Sequence, residues 1–274
     1  SEITALARQH NNANILGITK GESVAGVDNV TSIAVGTDGA RYVQAPTITV
    51  AAPTTRTIAT AKVSTSDNTI TVDAGHNMRT GTKLTYTSGG TNMQIASSDI
   101  DDDDNVFVIN TGSTTAFKIA TSLSNALAGT AANISGAGNN SQTFVGDTAT
   151  ATASISGGVV SAITVTDVGS DYQSTPAVTV EVPKMTIPTS AVNAGTNVIT
   201  FAGHGLTDTD QITYNQVGGG TLMTNVANGA TVFVRDKTTN TFKIAATSGG
   251  TAINIGTGHD AQTFTIVTDA TQAT

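Results

Sequence analysis

Cysteine and tryptophan are absent from this 274-residue chain, and glutamate occurs only three times, at Glu2, Glu22 and Glu181. Without cysteine there is no disulfide, no thiolate metal site and no thiol nucleophile, so the fold is indifferent to redox compartment. The twelve lysines and arginines are scattered without a cluster. A nucleic-acid partner requires a basic footprint, and an anionic membrane requires much the same, so neither is expected. No apolar run approaches the roughly 18 residues of a membrane-spanning helix. The opening SEITALARQH has no apolar core of the secretory-signal kind. A net charge of −8 and a pI near 4.7 serve solubility.

What is present favours strands and turns. Threonine occurs 52 times and glycine 28 times, while aromatics make up only 4% and hydrophobic residues 38%. β-branched side chains suit a pleated surface, and glycine and asparagine suit the turns between strands. With few large side chains each layer must be thin. Sheet hydrogen bonding, long thin cores and self-association are the expected sources of stability.

The chain repeats itself. TSIAVGTDGARYVQAPTITVAAP (31–53) is answered by SAITVTDVGSDYQSTPAVTVEVP (161–183), at a constant offset of 130 residues. Tyr42 then matches Tyr172, and Pro46 matches Pro176. A longer unit follows each time. AGHNMRTGTKLTY (74–86) is answered by AGHGLTDTDQITY (202–214), which brings His76 into register with His204 and Tyr86 with Tyr214. NVFVINTGSTTAFKIATS (105–122) is answered by TVFVRDKTTNTFKIAATS (231–248). The period is domain-sized, longer than the 20–50 residues of a solenoid repeat. The expected layout is an arm (1–24), a first module (25–147) and a second module (148–267). Each module holds a short unit (25–53 and 148–183) and a long unit (54–147 and 184–267), and a polar tail (268–274) closes the chain.

Period-two alternation makes both units all-β. Five to seven short strands per long unit, with turns every 8–12 residues, indicate tandem β-sandwich or barrel-like modules. Gly157-Gly158 is a two-residue hairpin signal. Phe107, Phe117 and Phe144, with their matches Phe233, Phe242 and Phe264, are expected in the cores, and Tyr42 and Tyr172 at the ends of the small sheets. At about 35 residues a short unit is too small to stand alone. It must pack on the long unit, on the other copy or on another chain. Only SEITALARQHNN has helical spacing, so the arm is helical or extended.

Catalytic chemistry finds little support. His76 and His204 sit in equivalent turns, and a catalytic base needs a carboxylate beside it. Asp208 and Asp210 could serve in copy two, yet copy one has Thr80 and Thr82 there. The histidines therefore read as structural turn residues. DIDDDDN (99–105) opens like a calcium loop with Asp99, Asp101 and Asp103, but lacks the glycine and glutamate that complete one. It reads as a solvated loop tip with calcium as a weak alternative. No glutamate recurs in both copies, and there is no phosphate-binding glycine loop and no nucleophile elbow. No cofactor is implied.

The short unit, through Gly39, Tyr42, Pro46, Ile48, Val50 and Gly169, Tyr172, Pro176, Val178, Val180, resembles a repeat of tailed-bacteriophage virion proteins. The long unit resembles a phage and adhesin repeat of the His-Gly-Leu-x-Thr-Gly-Asp…Tyr type. It departs from that pattern at Asn77, Met78, Thr82 and Lys83, and at Asp208 and Thr209. Together the resemblances span about 85% of the chain. They imply a non-enzymatic structural component of a virion, of tail-fibre, baseplate or capsid-decoration type. Its partners would be other virion proteins and itself, with a host-surface glycan or receptor as a further one. Alternatives are a cell-surface adhesin or surface-layer module, and a carbohydrate-binding module of a phage depolymerase.

Overall fold

A computed structural model describes residues 14–22, 28–37 and 41–267. The helix expected at the start of the arm and the C-terminal tail lie outside them. The described chain is nearly all β, with 42% strand and 5% helix.

Each long unit is a seven-stranded, near-barrel antiparallel sheet. In the first, the spatial order is Arg56–Ile58, Gln142–Gly146, Lys83–Thr87, Asn105–Asn110, Ala116–Ala120, Thr69–Thr71, Val63–Ser64. In the second it is Lys184–Ile187, Gln262–Val267, Gln211–Asn215, Thr231–Arg235, Thr241–Ala245, Val198–Thr200, Val192–Asn193, the same path strand for strand. Alternation sends one face of each strand inward. Leu84 and Tyr86 go in from one strand, and Ile212 and Tyr214 from its equivalent. Phe117, Phe144, Phe242 and Phe264 are fully buried.

Phe107 and Phe233 depart from expectation. Each sits between two buried valines, so the pleat turns it to the opposite face, where it is only half-buried. Copy one also carries more strand than expected. A three-stranded sheet (Met93–Ile95, Ser98–Asp99, Ile134–Ala137) and a one-turn helix, Leu123–Leu127, are added to it. Ser122 caps that helix by accepting a hydrogen bond from the Asn125 amide at 3.2 Å. Between Phe117 and Phe144, the stretch that carries the helix, the offset to copy two falls from 125 to 120 residues.

The short units begin as hairpins. Thr150–Ser156 and Val159–Asp167 are joined by Gly157 and Gly158, both at positive φ (59° and 83°). Two successive left-handed residues make the turn whose twist matches the strands, and only glycine enters it freely. In copy one the second half of the arm is itself a strand, Asn14–Glu22, paired with Asp28–Thr37.

The two short units pair with each other. Ile48–Val50 runs antiparallel to Val178–Val180, with Thr49 opposite Thr179, its own counterpart in the other copy. The flanking pairs Val178 with Val50 and Val180 with Ile48 exchange under the same two-fold relation. Tyr42 Oη donates to the Glu181 carbonyl at 3.2 Å, and Tyr172 Oη to the Ala51 carbonyl, the matching position, at 3.1 Å. One shared core results, holding Val30, Ile33, Tyr42, Val160, Tyr172 and Val180. The short units thus solve their size problem as a self-complementary pair inside one chain.

Candidate functional site

The histidine turns are where the short units meet the long units. Each imidazole is buried, and both nitrogens are occupied. The Met78 amide donates to His76 Nδ1 at 3.0 Å, and Nε2 lies 3.3 Å from the Ala116 carbonyl. The Leu206 amide donates to His204 Nδ1 at 3.0 Å, and Nε2 lies 3.3 Å from the Thr241 carbonyl. An accepting Nδ1 and a donating Nε2 define the neutral ring. Phe117 and Phe242 stand edge-on to the two rings at 5.5 and 5.2 Å. With both nitrogens spent on backbone, neither histidine is positioned to take a substrate proton.

Burial lowers both histidine pKa values below 6.5, while the bonds to the Ala116 and Thr241 carbonyls act in the opposite direction. The unfolded chain therefore binds protons that the folded chain refuses. Stability is fully present above the unfolded value and falls as pH drops below about 6.5 toward the lowered folded value. Denaturant unfolding between about pH 8 and pH 5 should show this fall in the native chain. A His76→Asn, His204→Asn variant should be less stable throughout but lack the slope due to histidine.

Other polar residues retained in both copies serve the scaffold. Tyr86 Oη donates to Gln142 Oε1 at 3.2 Å and accepts from the Met93 amide at 2.8 Å. Tyr214, Gln262 and Met223 repeat the arrangement at 3.1 and 2.9 Å. Burial raises the Tyr86 phenol pKa. Asn68 Oδ1 receives the Ile134 amide at 2.7 Å, and Asn197 Oδ1 the Ile255 amide at 3.0 Å. Pro46 and Pro176 are buried beside the paired short-unit strands.

The structure does not bring Asp99, Asp101 and Asp103 of the weak calcium alternative together. Among the described residues no three His, Cys, Asp or Glu side chains are grouped to hold a metal ion. Asp99 lies on a short strand and accepts from Gln94 at 3.0 Å. Asp102 receives the Ser88 amide at 2.7 Å, and Asp104 receives the Asp101 amide at 3.0 Å. Asp101 faces Asn92, and Asp103 turns the backbone at φ 69°. The strand pairing pulls Asp99 out of the loop, so the three alternating acids do not converge.

An open recess of about 430 Å³ lies beside His76, lined by Asn77, Arg79, Asn110, Gly112, Ser113 and Thr114. Copy two has Gly205 and Thr207 where copy one has Asn77 and Arg79, so the polar lining is not repeated.

Of the side chains that carry the docking, the sequence singled out only Asp210, and as a possible partner of His204 rather than of Arg41. Arg56 forks onto Asp171, Nη2 to Oδ1 at 2.9 Å and Nε to Oδ2 at 3.1 Å, and also reaches the His76 carbonyl at 3.1 Å. Ser170 Oγ donates to the Lys83 carbonyl at 2.9 Å and accepts from the Asp147 amide at 2.8 Å. These contacts seat the second short unit on the first long unit. Gly146 permits the approach, since a Cβ there would stand 2.2 Å from the Ser170 carbonyl oxygen. In the other direction Arg41 pairs with Asp210, and Val43 packs on the core of the second long unit. Each short unit therefore sits on the long unit of the opposite copy, beside its histidine turn. The signal that could have revealed this is one position: Arg41 precedes Tyr42, and Asp171 precedes Tyr172.

No protein-family model, curated protein or solved structure matches the chain. Among the described residues no helix is long and apolar enough to cross a membrane.

Proposed function

We propose that this chain is a non-enzymatic structural component of a bacteriophage particle, of fibre, baseplate or capsid-decoration type. The observation that carries the reading is where the repeated polar groups go. His76 and His204, Tyr86 and Tyr214, and Gln142 and Gln262 are consumed by internal hydrogen bonds in the same way in both copies. The duplication has preserved a scaffold and left no shared constellation of free reactive groups among these residues. The modular β architecture and the resemblance of its repeats to virion proteins supply the particle.

Immunogold electron microscopy on a lysate of the source cells, with antibody raised to this chain, tests the reading. Gold on capsids or tails is expected and would locate the component. Gold confined to cell envelopes, with unlabelled particles, would overturn it in favour of a cell-surface module.

A further inference from the structure

The docking seats differ in charge although the units that fill them are copies. Positions 41 and 171 are equivalent, lie in the same left-handed backbone region (φ 67° and 58°), and carry Arg and Asp. Their partners are opposite in sign. The first long unit offers Arg56 to Asp171, and the second offers Asp210 to Arg41. The counterpart of Arg56 is Met185, fixed by strand register, since Phe144 pairs with Arg56 and Phe264 with Met185. The counterpart of Asp210 is Thr82. Both cap the same turn, Thr82 Oγ1 accepting the Arg79 amide at 3.2 Å and Asp210 the Thr207 amide at 2.6 Å. A threonine is enough for the cap, so the charge at Asp210 answers Arg41.

The exchanged seating would be penalised on both sides. Arg41 in the seat of Asp171 would face Arg56, and Asp171 in the seat of Arg41 would face Asp210. Like charges brought together in a partly desolvated seat oppose the wrong partner, while the matched pairs favour the right one. We propose that Arg41–Asp210 and Arg56–Asp171 form a charge code that assigns each short unit to the long unit of the opposite copy. The code selects a partner surface: a short-unit loop bearing Arg fits the acidic seat, and one bearing Asp fits the basic seat. This holds whatever particle or surface the protein serves.

The test compares reversal with neutralisation in the full chain, which has no tryptophan and is followed by far-ultraviolet circular dichroism during denaturant unfolding. Arg41→Ala removes the match, whereas Arg41→Asp installs the mismatch. The expected result is that R41D unfolds with an equilibrium constant at least about tenfold larger than R41A. Added salt should narrow the gap, because Arg41 is partly exposed. The reciprocal variant R41D/D210R should recover most of the loss, although D210R alone sacrifices a turn cap. If R41D and R41A unfold alike, or R41D/D210R shows only the sum of its single losses, the charges are neighbours without a code and the proposal fails. Should the reciprocal variant not fold, R41D against R41A still decides the matter.

Discussion

Phe242→Ala is expected to destabilise the second long unit by about 3–5 kcal/mol, the range for emptying a fully buried aromatic site. The ring has no exposed surface and packs against two others. His204 lies at 5.2 Å and Phe264 at 6.1 Å, both edge-to-face. The vacancy is poorly placed to collapse. Its strand is held by hydrogen bonds on both sides, to Val198–Thr200 and to Thr231–Arg235. The chain contains only 4% aromatic residues, so few large side chains could move in to compensate. Thermal or denaturant unfolding measured by circular dichroism would register the change. A loss under about 1 kcal/mol would mean the site relaxes and the core is less tightly determined than its burial implies.

Asp171→Ala is expected to cost a similar amount, about 3–5 kcal/mol, for a different reason. The Asp171 side chain is 2% exposed and that of Arg56 9%, so the guanidinium would be left buried without its carboxylate. Removing one partner of a buried pair costs far more than the pair is worth, because the orphaned charge remains desolvated. The loss should also loosen the second short unit from the first long unit, exposing the Ser170 and Asp147 contacts. Amide hydrogen exchange at Asp147 would accelerate. Lys62–Asp73 provides the control. Its acid is 86% exposed, and Asp73→Ala should change stability by no measurable amount.

The contrast between these two sites separates what was legible in the sequence from what was not. The positions of Phe117 and Phe242 could be found because they recur in matching strands with apolar alternation. The equivalence of the histidine turns was legible for the same reason, since the whole surrounding stretch repeats. Phe107 and Phe233 were misplaced despite repeating equally well. Recurrence marks a residue as part of the scaffold, but only strand register says which face it takes. One step along a pleat reverses that face. The acids read as a loop tip, with calcium as the weaker alternative, depend on pairing in the same way. Their spacing suits a loop, and the short strand pairing of Ser98–Asp99 removes the loop's first member.

By itself the sequence determined the duplication, the all-β class and the glycine hairpin of the second short unit. All of these are written in windows of about ten residues, through period-two burial and the backbone freedom of glycine. Only the tertiary structure decided which short unit belongs with which long unit. That choice depends on contacts between residues 115 and 169 positions apart. The two copies present the same strand and turn signals twice, so local patterning cannot choose between same-copy and opposite-copy seating. The choice rests on the sign of charge at Arg41, Arg56, Asp171 and Asp210, brought together when the short units close on their two-fold relation.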